Sequence, residues 1–420
     1  MSLEEEILTT VANYYLTSRD FNGYPLRNIT TVSKKRLKGV IASLIQQDKV
    51  SLVFGDNHPN PYIKAFWDEP RETQIQKLNT LNLEHTCIYP SAKHLKKVVR
   101  PSKYKGKPFT LLLALGEPQL AFKVFDLSVL ESYRNDPRYS YHTNDISGHL
   151  SISDKYYEDA KVAEADRILL QTFGFAYDSD LNRAVAVFLK YLSDLSPEHQ
   201  QIWKAKIVTD KYRLHPDYYR TAILGQFPEG ISVFDAFIEE LKCINDMCKL
   251  IGQPILFKND FHEAKPRTFG FLIRPTSKEY CDFTHLLDKL ISENINRRFF
   301  VGVIPIEEEH TRKDGKVEVR PKGTLQMLEE WLKKAFIPED KKPMEEMLRT
   351  FKEIRKLRQK PAHAIDDNIY DQKYIKEQRE LMKRAYAGIR LIRLILENHP
   401  STKGYEIPDV IKAGNKVWTY

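Results

Sequence analysis

Cysteine is scarce in this 420-residue chain: there are four, Cys87, Cys243, Cys248 and Cys281. Four in this length do not make a disulfide framework. Cys243 and Cys248 stand five apart in a predicted helix, about 140° from each other around its axis, so they cannot share a zinc ion without unwinding it. Neither a metal site nor a cofactor is expected. Long apolar runs are also missing. FTLLLALG at 109–116 is strand-sized, far below the ~18–20 residues of a membrane span. The opening MSLEEEIL is acidic and lacks the basic and apolar regions of a signal peptide. A cytoplasmic protein with no membrane partner is expected. No phosphate-cradling G-x-G-x-x-G or G-x4-G-K-S/T loop is present. Nor is there an H-E-x-x-H, G-x-S-x-G or EF-hand pattern. No repeat of 20–50-residue period and no low-complexity tract occurs.

What is present is ample core material. Hydrophobic residues make up 42% and aromatics 11% of the chain, enough for packed domains, and the length suggests two or three. The net charge of +8 points to polyanionic partners rather than acidic proteins. The expected fold class is α+β and multidomain, predominantly helical, in three segments.

Residues 1–68 read first. Ser2 and Glu5 form a capping-box pair opening a helix with the stripe Leu3, Ile7, Val11 and Tyr14/Tyr15. Ser33 is expected to cap a second helix carrying Leu37, Val40, Ile41, Leu44 and Ile45 on one face. VSLVF, the turn Gly55-Asp56-Asn57 and PYIKAF then predict a short hairpin. Lys34, Lys35, Arg36 and Lys38 crowd the first turns of the second helix, where cations oppose the helix dipole; an anionic partner would relieve them. The order resembles a winged helix, whose recognition helix enters a DNA major groove at that position. Binding of DNA, or docking to a protein, is the expectation for this segment.

Residues 69–320 predict a mixed α+β segment. Strands are expected at Thr110–Leu115, Leu120–Phe125, Phe269–Ile273 and Phe299–Ile304. Helices are expected at about 156–172 and 182–194, then from Ser196-Pro197 and over 232–252. The Tyr-, Arg- and Asp-rich stretch YRNDPRYSYH at 133–142 reads as a surface or interdomain loop.

Residues 321–420 predict three helices, at about 324–336 with Thr324 as cap, 343–359 and 373–398. In the middle one Met344, Met347, Leu348, Phe351 and Ile354 form an apolar stripe. Continued, the stripe runs through Arg355 and Arg358, and a guanidinium there needs an acid, a phosphate or a wet cleft. Acids such as Asp366 or Asp367 are candidates. Pro361 ends the helix and leaves His363 free to fold back beside it. In the last helix the seam is Tyr374, Gln378, Leu381, Ala385, Gly388, Ile392 and Ile395, with Gly388 allowing close approach. Arg393 lies about 100° from that seam, so it is expected to face solvent, and its spacing to His399 carries no role.

Arg358 and His363 in this Arg-x4-His arrangement resemble the motif of HEPN-superfamily ribonucleases, small helical domains that cut RNA without a metal. The resemblance covers residues 323–400, and Gln359 departs from the small polar residue usual after the arginine. It implies that His363 acts as general acid or base, that Arg358 neutralises charge on the scissile phosphate, and that Lys352, Arg355, Lys356 and Lys360 contact the RNA. It further implies a homodimer, whose seam the stripe of Met344, Met347 and Phe351 could supply, and a role in antiphage defence or as a toxin. A non-enzymatic winged-helix regulator, or a scaffold subunit of a defence complex, is the alternative.

Overall fold

The computed structural model describes residues 2–56, 58–81, 83–312, 314–359 and 367–419. It is 48% helical and 15% strand, an α+β protein. The chain divides into two compact units, residues 1–141 with 147–218, and residues 142–146 with 219–420.

The first unit opens with α1 (Leu3–Thr17), where the capping box forms as expected: Ser2 accepts from Glu5 N–H and Glu5 from Ser2 N–H. A two-residue strand β1 (Tyr24–Pro25), a 3₁₀ turn, α2 (Lys34–Gln46) and β2 (Val50–Phe54) follow. Ser33 precedes α2 but makes no side-chain capping bond. The expected hairpin from VSLVF to PYIKAF does not form. β2 pairs instead with β3 (Thr86–Pro90), giving an antiparallel sheet of order β1-β3-β2. The outer edge of β2 is met by a side chain: Leu52 N donates to Gln74 Oε1 at 2.8 Å, from α3 (Arg71–Thr80). The sheet thus draws its central strand from beyond residue 68. Leu8, Val11, Ile41, Leu44, Leu52 and Ile88 share one core with Leu78 of α3.

The chain continues through α4 (Ala92–Val98) and α5 (Pro108–Ala114) into a larger antiparallel sheet. Thr110–Leu115, expected as a strand, is helical because Pro108 supplies a first-turn start and Phe109, Leu113 and Ala114 face the core. In the larger sheet β4 (Phe122–Phe125) pairs with β8 (Arg183–Phe188), β8 with β7 (Leu169–Tyr177), and β7 with β6 (Ser147–Ile152). β5 (Tyr139–Thr143) lies at its edge. The helix expected at 156–172 does not form: only short turns occur at Asp154–Tyr157 and Glu164–Asp166, and its end enters β7. Of the helix expected at 182–194, only Leu189–Ser193 is helical, after β8. Phe173, Phe175 and Ala176, and Val185, Ala186 and Val187, are all buried. A strand covered on both faces shows no alternation, so periodicity cannot separate it from a helix. Helix α6 (Pro197–Lys204) starts as expected, Ser196 Oγ accepting from His199 N–H.

The second unit is a helical bundle: α7 (Val233–Leu250), α8 (Ser277–Ile291), α9 (Thr324–Ala335), α10 (Lys342–Gln359) and α11 (Lys373–Glu397). The last three match the expected helices, although Gly323 rather than Thr324 occupies the cap position. Helix α11 is central, packing on α7 and on α10, while α10 also packs on α8 and α9. All five helices contribute to one apolar core, so α7 and α8, expected in a separate middle segment, belong with the C-terminal helices. Phe269–Ile273 and Phe299–Ile304 are not strands. Around the first, Gln378 stands in for a strand partner, accepting from Leu272 N–H at 3.0 Å and donating to the Gly270 carbonyl at 2.9 Å.

Candidate functional site

Helix α10 buries Met344, Met347, Leu348, Phe351 and Ile354 as its period predicts. The partner is within the chain. Gly388 of α11 lets the ring of Phe351 and the side chain of Met347 come so close that a Cβ there would meet them at 2.9 and 3.0 Å. The stripe is therefore covered by the protein's own helices, which corrects the expectation that it forms a dimer seam.

One turn past Ile354, Arg358 emerges at the end of the helix with 29% of its side chain exposed. Among the described residues its carboxylate partners come from α8 and the residues after it. Of the two acids the sequence suggested, Asp367 makes no ion pair with it there, and Asp366 lies outside the described residues. Arg358 Nη1 donates to Asp288 Oδ2 at 2.7 Å, and Asp288 is 1% exposed. The same Nη1 meets Glu293. Asp288 is in turn held by the Ser292 hydroxyl through its other oxygen. Hydrogen bonds to the two carboxylates push the Arg358 pKa up, so the guanidinium is charged throughout. Nη2 and Nε of Arg358 make no hydrogen bond among the described residues.

The surrounding basic run is only partly free to meet a ligand. Lys352 Nζ is 2.6 Å from Glu329, which also takes Lys333 at 2.8 Å. Arg384 grips Glu353 with both terminal nitrogens, at 2.6 and 3.0 Å. Arg355 is half-buried and Lys356 exposed, and neither makes an ion pair among the described residues. Lys360 and His363 lie outside the described residues.

Arg393 does not face solvent. It is fully buried between α11 and α7, with Nε 2.7 Å from Glu240 Oε2 and Nη1 2.5 Å from Glu397. Burial pushes the Glu240 carboxyl up, against the pull of Arg393. The seam predicted for α11 is buried through Gln378, Leu381, Ala385, Gly388 and Ile392, but a helix packed on two sides buries a wider arc.

In the first unit Lys34, Lys35 and Arg36 are exposed at the start of α2. Lys38 is partly covered, its ammonium donating to the Asn79 carbonyl at 3.2 Å. The stretch 133–142, expected as a surface or interdomain loop, runs to where the chain passes from one unit to the other and supplies a packed polar network. Buried Tyr133 bonds His199 Nδ1 at 2.7 Å and receives the Trp203 Nε1 proton at 2.9 Å. Asp166 lies 3.5 Å from His199 Nε2 and accepts from Arg138 at 2.8 Å, while Arg138 also grips Asp136. These groups satisfy one another behind a 5%-exposed histidine, an arrangement that holds the fold. The sequence signal was the Tyr and Arg density of the stretch, and its pairing with a distant histidine carried no local mark.

Among the described residues no group of three His, Cys, Asp or Glu is placed to hold a metal ion, and no helix is long and apolar enough to cross a membrane. Comparison with protein-family models, with curated proteins and with solved structures returns no match.

Proposed function

We propose that the second unit is a metal-independent RNA endonuclease of the HEPN type, acting through Arg358 and His363. The observation that carries this reading is the way Arg358 is anchored. Both carboxylates engage Nη1 alone, so the guanidinium is fixed in place while Nη2 and Nε make no hydrogen bond among the described residues. An arginine so held can present two N–H groups to a phosphate in bidentate fashion. It stands at the end of α10, five residues before His363, with the basic Arg355 and Lys356 beside it.

In this reading His363 removes the proton of the RNA 2′-hydroxyl, and the 2′-oxygen attacks the adjacent phosphorus. The bond to the 5′-oxygen breaks, that oxygen takes up a proton, and Arg358 neutralises the charge that builds on the phosphoryl oxygens. The products are a 2′,3′-cyclic phosphate and a 5′-hydroxyl. Proton removal and delivery occur at different oxygens, so a second histidine from another copy of the chain would complete the site, through a face other than the covered stripe of α10. The first segment, with the exposed cations of α2 and its three-stranded sheet, would bring nucleic acid to the protein as a winged-helix-like module. A substrate with a single 2′-deoxy at the cleaved position tests the chemistry: it should resist cleavage, and equal cutting of it would reject 2′-oxygen attack.

One observation favours a second reading, a non-catalytic nucleic-acid-binding regulator or scaffold. Arg358 and Lys352 are both engaged by carboxylates, as they would be in a helix pair that merely packs. That reading expects duplex binding by the first unit and no RNA cleavage.

A further inference from the structure

Between Glu84 and Glu117 the chain contains no acidic residue and seven basic ones, Lys93, Lys96, Lys97, Arg100, Lys103, Lys105 and Lys107. All seven are exposed. Lys93 reaches Asp48 at 3.8 Å, and the other six make no ion pair among the described residues. Their display is fixed from beneath. Leu95, at 0% exposure, and Val99 pin α4 to the core, and Phe109, at 1%, pins the chain where the segment ends. Ser91 caps α4 by accepting from His94 N–H, and Gln201 Nε2 donates to the Gly106 carbonyl at 2.9 Å. The segment therefore carries seven positive charges, against a net +8 for the whole chain, on a backbone held in place. The field is felt locally: burial lowers the His94 pKa, and Lys49 and Lys97 lower it further.

We propose that the exposed face of α4 and the following 100–107 segment is a sequence-independent contact surface for the phosphodiester backbone of nucleic acid. All of these cations except Arg100 are lysines, compact point charges suited to phosphate contact without base reading. The seven residues of α4 span about 10 Å, the run of about three phosphates on one strand at 3.4 Å each. Membrane docking is the competing use of a basic surface, and there apolar side chains entering the lipid add to the attraction of the charges. Over residues 92–107 the exposed large hydrophobics number one, Val98 at 46%. The surface is separate from the cations of α2. Ser91 Oγ donates to the Asp48 carbonyl, which places α4 by the C-terminal end of α2, about 18 Å along the helix from Lys34. It lies in the first unit and does not depend on the ribonuclease reading.

The test uses the full chain and a Lys96→Gln, Lys97→Gln, Arg100→Gln, Lys103→Gln variant. Binding to DNA and RNA duplexes of about 20 base pairs is followed by fluorescence anisotropy from about 50 to 200 mM salt, and binding to phosphatidylserine vesicles by co-sedimentation. The variant should bind at least about tenfold more weakly, and the slope of log affinity against log salt should flatten by about 3 to 4. The two duplexes distinguish DNA from RNA as the polymer bound. An unchanged slope and affinity, no duplex binding by the wild type at the lowest salt, or a loss confined to phosphatidylserine vesicles would overturn the proposal. Melting temperature should not move. If it does, Lys103→Gln, Lys105→Gln, Lys107→Gln, which leaves α4 intact, should flatten the slope by about 2 to 3, and no flattening there overturns it equally.

Discussion

Asp288 holds Arg358 by a single nitrogen, Nη1, at 2.7 Å, and Asp288 is itself buried to 1% exposure. The pairing converts a flexible side chain at a helix end into a fixed one. It explains how a guanidinium continues the apolar stripe of α10: its partners are carried by α8 and by Glu293 just beyond it. Whether that anchored group serves RNA or only the packing of α8 on α10 is the question that separates the two readings.

The pair of Arg393 and Glu240 makes a contrasting, purely structural case. Both side chains are at most 1% exposed. Arg393→Ala should destabilise the second unit by about 3–5 kcal/mol, because it strands a buried carboxylate. Arg393→Met combined with Glu240→Leu should recover most of that loss, since apolar replacement of a whole buried pair is often near neutral. Urea unfolding of the single and double variants measures it. Equal loss in both would mean that the pair's shape, not its charge, matters.

Phe351 is 1% exposed against Gly388. Phe351→Asp should therefore melt the second unit, with a loss of about 3–5 kcal/mol from the missing aromatic packing alone. It should not merely dissociate a dimer into folded monomers. Limited proteolysis checks this: the region after residue 219 should become sensitive while the first unit resists. A stable, folded monomer would restore the stripe as an interface.

The C-terminal helices were legible because each buries one face, as the stripe of α10 and the Leu325, Leu328, Trp331 and Leu332 face of α9 show. Arg393 was misplaced because α11 is clasped from two sides, which a single seam does not reveal. β7 and β8 were hidden by burial on both faces. The sheet around β3 was hidden by a connection of some thirty residues between β2 and its partner, where the sequence suggested a local hairpin. Lysine density at 93–107 was in plain view, but it follows no motif. Only the fold shows that all seven cations point outward. For the site, the sequence located Arg358 and its need for a partner. The partners lie 70 and 65 residues away, on α8 and just beyond it, out of reach of any local pattern.

Stability of the first unit should depend on pH through its buried histidines. Burial holds His199 and His215 below the ordinary histidine range, against the pull of Asp166 and Asp217 respectively. A base with a lowered folded pKa takes its proton more readily in the unfolded chain. Stability is then full above about pH 6.5 and is lost as the pH falls below it towards the folded value. The urea midpoint should drop between about pH 7 and 5.5, and His199→Gln should flatten that dependence. A midpoint that rises on acidification would reverse the sign.

The exposed cations of α2 provide a separate test of nucleic-acid binding. Lys34→Ala, Lys35→Ala and Arg36→Ala together should flatten the salt dependence of DNA binding by about 3. Melting temperature should barely move, because all three are exposed. Unchanged binding would assign this helix end to protein docking.

RNA cleavage in EDTA addresses the central claim most directly. Full-length wild type should cut single-stranded RNA at an undiminished rate in the chelator, leaving 2′,3′-cyclic phosphate ends. His363→Ala should lower that rate by about 10²–10⁴. Arg358→Lys keeps the charge that Asp288 and Glu293 require but lacks the planar fork, and should lower it by about 10²–10³ without shifting the melting of the second unit. Cleavage that stops in EDTA, or a full rate in both variants, would contradict the account.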